Sequence, residues 1–215
     1  MNEFQHFMDI HGLKTQDVIF VRYGSRVYGT DSDKSDYDYL AIVPNDSKAD
    51  TGTEFYKNDT NIHVFNRGDF QQQLNDHKIH ALEAYYLPVP DEDDPCVKNQ
   101  FHFQLDLGKL RESISEKASH SFVKAKKKIE VEKDYYIGWK SLFHSLRILN
   151  FGTQIATVGS IENYSAANQY WFDILHAQQY NWEYFKHRYQ SIYNKLSTQF
   201  KLVAPKKDCV SKNKN

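Results

Sequence analysis

The sequence predicts an α+β protein: a small mixed or antiparallel-containing sheet with helices, followed by an α-helical C-terminal domain. Three observations predict it. Runs rich in β-branched and aromatic residues, DVIFVRY at 17–23 and YDYLAIV at 37–43, are confined to the first ninety or so positions. Beyond about residue 105 the strand signal fades and apolar residues recur at helical spacing. Between the two lies PVPDEDDP at 88–95, whose three prolines and four acids do not fit inside a helix or a strand. The predicted parts are 1–95, 96–203 and a basic tail, 204–215.

Each element follows in order. Phe4, Phe7, Met8 and Ile10 sit at near-helical spacing over 3–10, and Gly12 ends that helix. Residues 17–23 form a strand that Gly24-Ser25 breaks. Residues 37–43 form the next, stopped by Pro44 and Asn45. Phe55-Tyr56, Asn58-Asp59 and 61–65 read as a hairpin, because Asn and Asp tolerate the positive φ of a tight turn. Residues 68–74 and 79–87 are helical. In the second half, helices are expected over 107–132, 135–150, 166–178 and 183–200. Gly159-Ser160 is a turn, and the aromatics of NQYWFDILHAQQYNWEYF form core.

Composition bounds the function. The chain has 215 residues, 40% hydrophobic and 15% aromatic, which suits folded domains. A formal net charge of -1 exerts no global pull on nucleic acid or on an anionic membrane. Cys96 and Cys209 make neither a disulfide framework nor a zinc cluster, which implies a reducing, cytoplasmic setting. The N-terminal residues lack a signal-peptide pattern, and no apolar run reaches the roughly 20 residues a membrane span needs.

The stretch YGSRVYGTDSDKSDYDYLAIV, 23–43, gathers four aspartates where a strand begins. A polar hairpin loop and a metal site both fit such crowding. Asp36 and Asp38 lie two apart, so a strand points both carboxylates to one face, with Cα atoms about 6.6 Å apart. That spacing lets both converge on one divalent cation or on two. Oxygen ligands beside phosphate and water suit Mg²⁺. Asp31 and Asp33, earlier in the turn, are expected to be solvated. Gly24 allows a bound group to approach the backbone, and a helix starting at Ser25 would offer N–H groups and a hydroxyl to an anion.

Strand, Gly-Ser, ten residues, Asp-x-Asp and strand together resemble the signature of the DNA polymerase β-like nucleotidyltransferase superfamily. The longer form GSRVYGTDSDKSDYD is similar to a group of predicted bacterial and phage nucleotidyltransferases with a GSRxxG…SDYD motif. The resemblance continues through the IHVF strand, an F-x(10)-ALE segment and a K-x3-H-x2-R helix, and so touches most of 20–170. It implies the nucleotidyltransferase fold, phosphate contacts at Gly24 and Ser25, and metal ligation by Asp36 and Asp38. It also implies transfer of a nucleoside monophosphate from an NTP to an acceptor hydroxyl, with Mg²⁺ or Mn²⁺ and release of pyrophosphate. The acceptor is left open: an RNA 3′ end, a protein hydroxyl or a small molecule.

The pattern departs at the third acid that such enzymes carry on a later strand. In NIHVF the matching residue reads as His63, with Asp59 and Asp69 as substitutes under another register. A neutral imidazole accepts a proton near pH 7 but is a poor Mg²⁺ ligand. His63 is then either a catalytic base, or the mark of a nucleotide-binding module without turnover, such as a sensor or toxin–antitoxin component, or a half-buried strand histidine.

In KSLFHSLRILN, Lys140, His144 and Arg147 share one helical face, opposite Leu142, Leu146 and Leu149. That face is either solvated or suited to the triphosphate of a nucleotide, and the resemblance sets it opposite the Gly-Ser turn. KAKKK at 124–128 is an exposed helical face or a contact for an RNA backbone, which supports a third reading, an RNA-binding helical protein.

Overall fold

The alternating runs of the first half build one sheet. The computed structural model describes residues 2–88 and 97–206, which divide into two compact units, Met1–Gln104 and Leu105–Asn215. The predicted boundary at 88–95 falls almost wholly outside the described residues.

In the first unit, β1 (Ile19–Tyr23), β2 (Tyr37–Val43), β3 (Glu54–Lys57) and β4 (Thr60–Asn66) form a mixed sheet of order β1-β2-β4-β3. β1 runs antiparallel to β2, β2 parallel to β4, and β3 antiparallel to β4. The β3–β4 turn is tight because Asn58 adopts a φ of 51°, as the Asn-Asp pair predicts. Helix α1 (Glu3–His11) ends at Gly12 in the left-handed conformation. It covers one face of the sheet: Phe7 and Met8 pack with Ala41, Val43, Ile62 and Val64. Fully burying a side chain such as Phe7 contributes about 1.5–3 kcal/mol.

Alternation puts Asp38, Leu40 and Ile42 on the opposite face. The short helix α2 (Ser25–Tyr28) follows β1 directly, while α3 (Arg67–Asn75) and α4 (Ile79–Tyr86) follow β4. Phe65 on this face meets Phe70 of α3 edge-on and stacks on His80 of α4. A further turn, α5 (Val97–Gln100), and the chain to Gln104 stay with the first unit. Phe101 packs on Phe70, Phe103 on Tyr85, and Arg67 donates to Gln100. Those contacts carry the first unit past the predicted end at residue 95.

The second unit is helical: α6 (Leu107–Glu130), α7 (Tyr135–Val158), α8 (Asn168–His176) and α9 (Trp182–Val203). Helix α7 runs beyond the predicted stop at Asn150 to Gly159, where the left-handed φ of 76° caps it. Gly152 inside it is a contact point, since a Cβ there would lie 2.8 Å from Ile114 of α6 and 2.9 Å from Phe200 of α9. Trp171, Trp182, Phe185 and Tyr189 are buried with Leu142, Phe143 and Leu146, as the aromatic spacing predicts. Among the described residues no helix is long and apolar enough to cross a membrane.

Candidate functional site

The site assembles where β1 ends and β2 and β4 begin. Gly24 leaves β1 with φ 84° and ψ -163°, a region closed to residues with a side chain. Helix α2 then starts at Ser25. It has only four residues, so little macrodipole supports an anion there. The firmer feature is contact. A Cβ on Gly24 would lie 2.2 Å from Oδ2 of Asp38. Glycine is thus required twice, for its backbone conformation and for the carboxylate pressed against it.

Register decides what faces Asp38. Tyr23 of β1 and Asn61 of β4 are level with it, and Tyr56 of β3 is level with Asn61. Directly opposed residues share a face, so Tyr23, Asp38, Asn61 and Tyr56 form one row across the sheet. Asp36, just ahead of β2, is exposed, and its charge acts on the Tyr56 phenol. Partial burial and the charges of Asp36 and Asp59 push that phenol's pKa up, so it remains a donor at neutral pH. Burial, followed by the charges of Asp38, Glu54 and Glu83, raises the Tyr23 phenol further still.

His63 lies in the next row, level with Leu40 and Glu54. One row is two residues, about 6.6 Å along the strand. Its ring stacks on Phe65 at 4.8 Å, and its Nδ1 is 3.5 Å from the Glu54 carboxylate. The residue level with Asp38 is therefore Asn61, two residues before His63. Of the two substitutes, Asp59 sits in the β3–β4 turn, its carbonyl accepting from Tyr37. Asp69 lies in the first turn of α3, beyond the far end of β4.

The residues fit a divalent cation. Asn61 carries a buried Oδ1 with no hydrogen-bond partner, on the same row as Asp38. An amide oxygen is an acceptable third oxygen ligand, weaker than a carboxylate. Among the described residues no three His, Cys, Asp or Glu side chains gather into a metal-binding group.

Two supports were not foreseen. Arg26 follows the Gly-Ser pair, and its Nη1 donates to Asp31 at 3.1 Å while its Nη2 donates to the Ser35 carbonyl at 2.7 Å. Its guanidinium lies over the Tyr37 ring at 4.0 Å. The loop between α2 and Asp36 is thereby held at both ends; Asp31 and Asp33 are both exposed as expected, and Asp31 also pairs with Arg26. Inside the unit, the Tyr28 hydroxyl donates to buried Glu83 at 2.6 Å and ties α2 to α4. Glu83 is the acid of the ALE segment, so local sequence carried a signal for it, but only the fold supplies its partner.

Compared with known proteins, the chain matches no family model and no curated protein.

Lys140, His144 and Arg147 belong to α7 in the helical unit. They do not form an open cationic stripe. Lys140 is exposed, with its Nζ 4.9 Å from the Tyr136 ring, whereas Arg147 is only 7% exposed. Its Nη2 is 2.8 Å from His144 Nδ1, and its guanidinium lies near the rings of Phe143 and Phe151. Burial, then the charges of Arg147, Lys117 and Lys124, holds the His144 pKa well below the usual histidine value. The unfolded chain therefore binds a proton there that the fold excludes. The helical unit is expected to lose stability as pH falls through about 6.5. Urea midpoints at pH 7.5 and 5.5 check this, and His144→Gln should flatten the difference. An unchanged slope in that variant would refute the assignment.

The KAKKK segment is largely paired. Lys128 reaches Glu132 at 2.6 Å, Lys127 reaches the same acid at 3.1 Å, and Lys126 faces Glu130 at 3.6 Å. Exposed pairs of this kind add little stability, but they reduce the net positive charge that end of α6 offers to a polyanion.

Proposed function

We propose that the protein is a divalent-cation-dependent nucleotidyltransferase that moves a nucleoside monophosphate from an NTP to an acceptor hydroxyl and releases pyrophosphate. The observation that carries the reading is the pressing of Gly24 against Asp38 with Asn61 level beside it. A turn open only to glycine, two carboxylates and an unpartnered amide oxygen at one sheet end have no evident use in stability.

Asp36, Asp38 and the Asn61 amide oxygen would hold Mg²⁺ or Mn²⁺. When bound, the cation supplies positive charge to the α-phosphate and to the attacking hydroxyl. Gly24, lacking a Cβ, leaves room for a phosphate against the backbone, and the Ser25 hydroxyl offers it a donor. Arg26 keeps the loop closed so that Asp36 is presented beside β2. These residues act by position and charge, the terms that dominate phosphoryl and nucleotidyl transfer. Lys140 is the exposed cation of the α7 trio, and a nucleotide role for that helix rests on Lys140 alone. The superfamily resemblance and the mixed sheet are compatible with this reading.

A second reading has its own observation. An amide in place of the third acid weakens the hold on the cation and suits a module that binds nucleotide without turnover. One experiment separates the two. The protein is incubated with α-labelled NTPs, Mg²⁺ or Mn²⁺, and pools of RNA, protein and small alcohols. The enzyme reading expects label transfer, reduced by about a hundredfold or more in Asp36→Ala and in Asp38→Ala. Tight, cation-dependent NTP binding with no label in any pool would establish the module instead.

A further inference from the structure

We propose that Tyr56 is itself an acceptor, so that the chain transfers a nucleoside monophosphate from an NTP onto its own Tyr56 phenol. The proposal rests on the nucleotidyltransferase reading and names one acceptor for it. Three observations carry it. Tyr56 lies on β3, the strand at the edge of the sheet, so its flank is open. The residue is 60% exposed. It stands level with Asn61 and, through Asn61, with Asp38, on the face of the sheet that carries both, and near enough to Asp36 for that carboxylate's charge to raise its pKa.

Other tyrosines of the unit lack this combination. The Tyr28 hydroxyl is committed to Glu83 in the interior. Tyr37 holds its ring against Arg26. Tyr23 is half-buried among Asp38, Glu54 and Glu83.

The step balances without a redox partner. The phenolic oxygen attacks the α-phosphorus of the NTP, and the bond from that phosphorus to the bridging oxygen breaks. Pyrophosphate leaves with the electron pair, and the phenolic proton passes to the nearby Asp36 carboxylate. The product is an aryl phosphodiester, with an NTP and a divalent cation as the only co-reactants. Its added negative charge lies beside Asp36 and Asp38 and opposes binding of a second triphosphate, so modification stops at one nucleotide per chain.

The test uses the full chain with a mixture of the four α-labelled NTPs and Mn²⁺, followed by a denaturing gel and tandem mass spectrometry. Cation-dependent NTP binding is measured in parallel. The expected result is covalent label, no more than one per chain, mapped to Tyr56. Label should be lost in Tyr56→Phe and Asp38→Asn and kept in Tyr180→Phe, a change at an exposed tyrosine of the helical unit. The peptide map of the unaltered chain answers the question even if a variant misfolds. Cation-dependent NTP binding with no label on Tyr56, or label that persists in Tyr56→Phe, overturns this proposal and leaves the function standing. Absence of cation-dependent NTP binding overturns both.

Discussion

Gly24→Ala is expected to abolish cation-dependent NTP binding and to destabilise the first unit by about 2–4 kcal/mol. Two costs add. A φ of 84° with ψ of -163° is strained for alanine. The new methyl would also sit 2.2 Å from Oδ2 and 2.9 Å from Cβ of Asp38, so the short carboxylate side chain must rotate away. Gly12→Ala separates the costs. Gly12 also has positive φ, 65°, but nothing lies within 4 Å of its would-be Cβ. That change should cost about 1 kcal/mol and leave nucleotide binding intact. Denaturant unfolding and Mn²⁺-dependent binding of a fluorescent NTP analogue measure both effects. Normal binding by Gly24→Ala would show that the glycine serves the turn alone.

Asn61→Asp is expected to tighten cation binding about tenfold, roughly 1.4 kcal/mol. The new carboxylate would face Asp38 in the parallel register, where both can hold the same ion. Without the cation the same change should lower the melting temperature, because two carboxylates on one row repel. The sign thus reverses with Mn²⁺, which a purely structural substitution would not do. Titration calorimetry and melting with and without Mn²⁺ read the two halves. His63→Ala should leave cation affinity within about twofold, since His63 lies one row away beside Leu40. If His63→Ala abolishes cation binding while Asn61→Asp changes nothing, the register argument fails.

That contrast marks where sequence reasoning stops. Strand β2 and the Asn58 turn were legible because each depends on neighbours within a few residues. The choice between Asn61 and His63 was not. Both are two apart on one strand and point to one face, so alternation treats them alike. Only the offset of β4 against β2 ranks them, and β3 with a long loop intervenes between those strands. Helix α7 passes its predicted end at Asn150 and continues through Gly152, a place where α6 and α9 come close. Arg147 was placed on a polar face because helical spacing reports angle, not depth. His144 and two phenylalanine rings make an arginine tolerable inside. The Asp36–Asp38 pair itself was visible in the opening motif, but the chemistry assigned to it still rests on the proposal above.

The Arg26 clamp has a consequence for affinity. Most of the chain between α2 and β2 would be free to wander were it joined only at its ends, and a ligand that needed Asp36 in place would have to restrict it. Arg26 instead spans from Asp31 to the Ser35 carbonyl and lies over Tyr37. The conformational entropy of that loop is surrendered during folding, when the whole unit orders, rather than at the encounter with a nucleotide. Preorganisation of this kind would let the proposed site, with only two carboxylates and an amide, hold its ligand without also having to assemble itself.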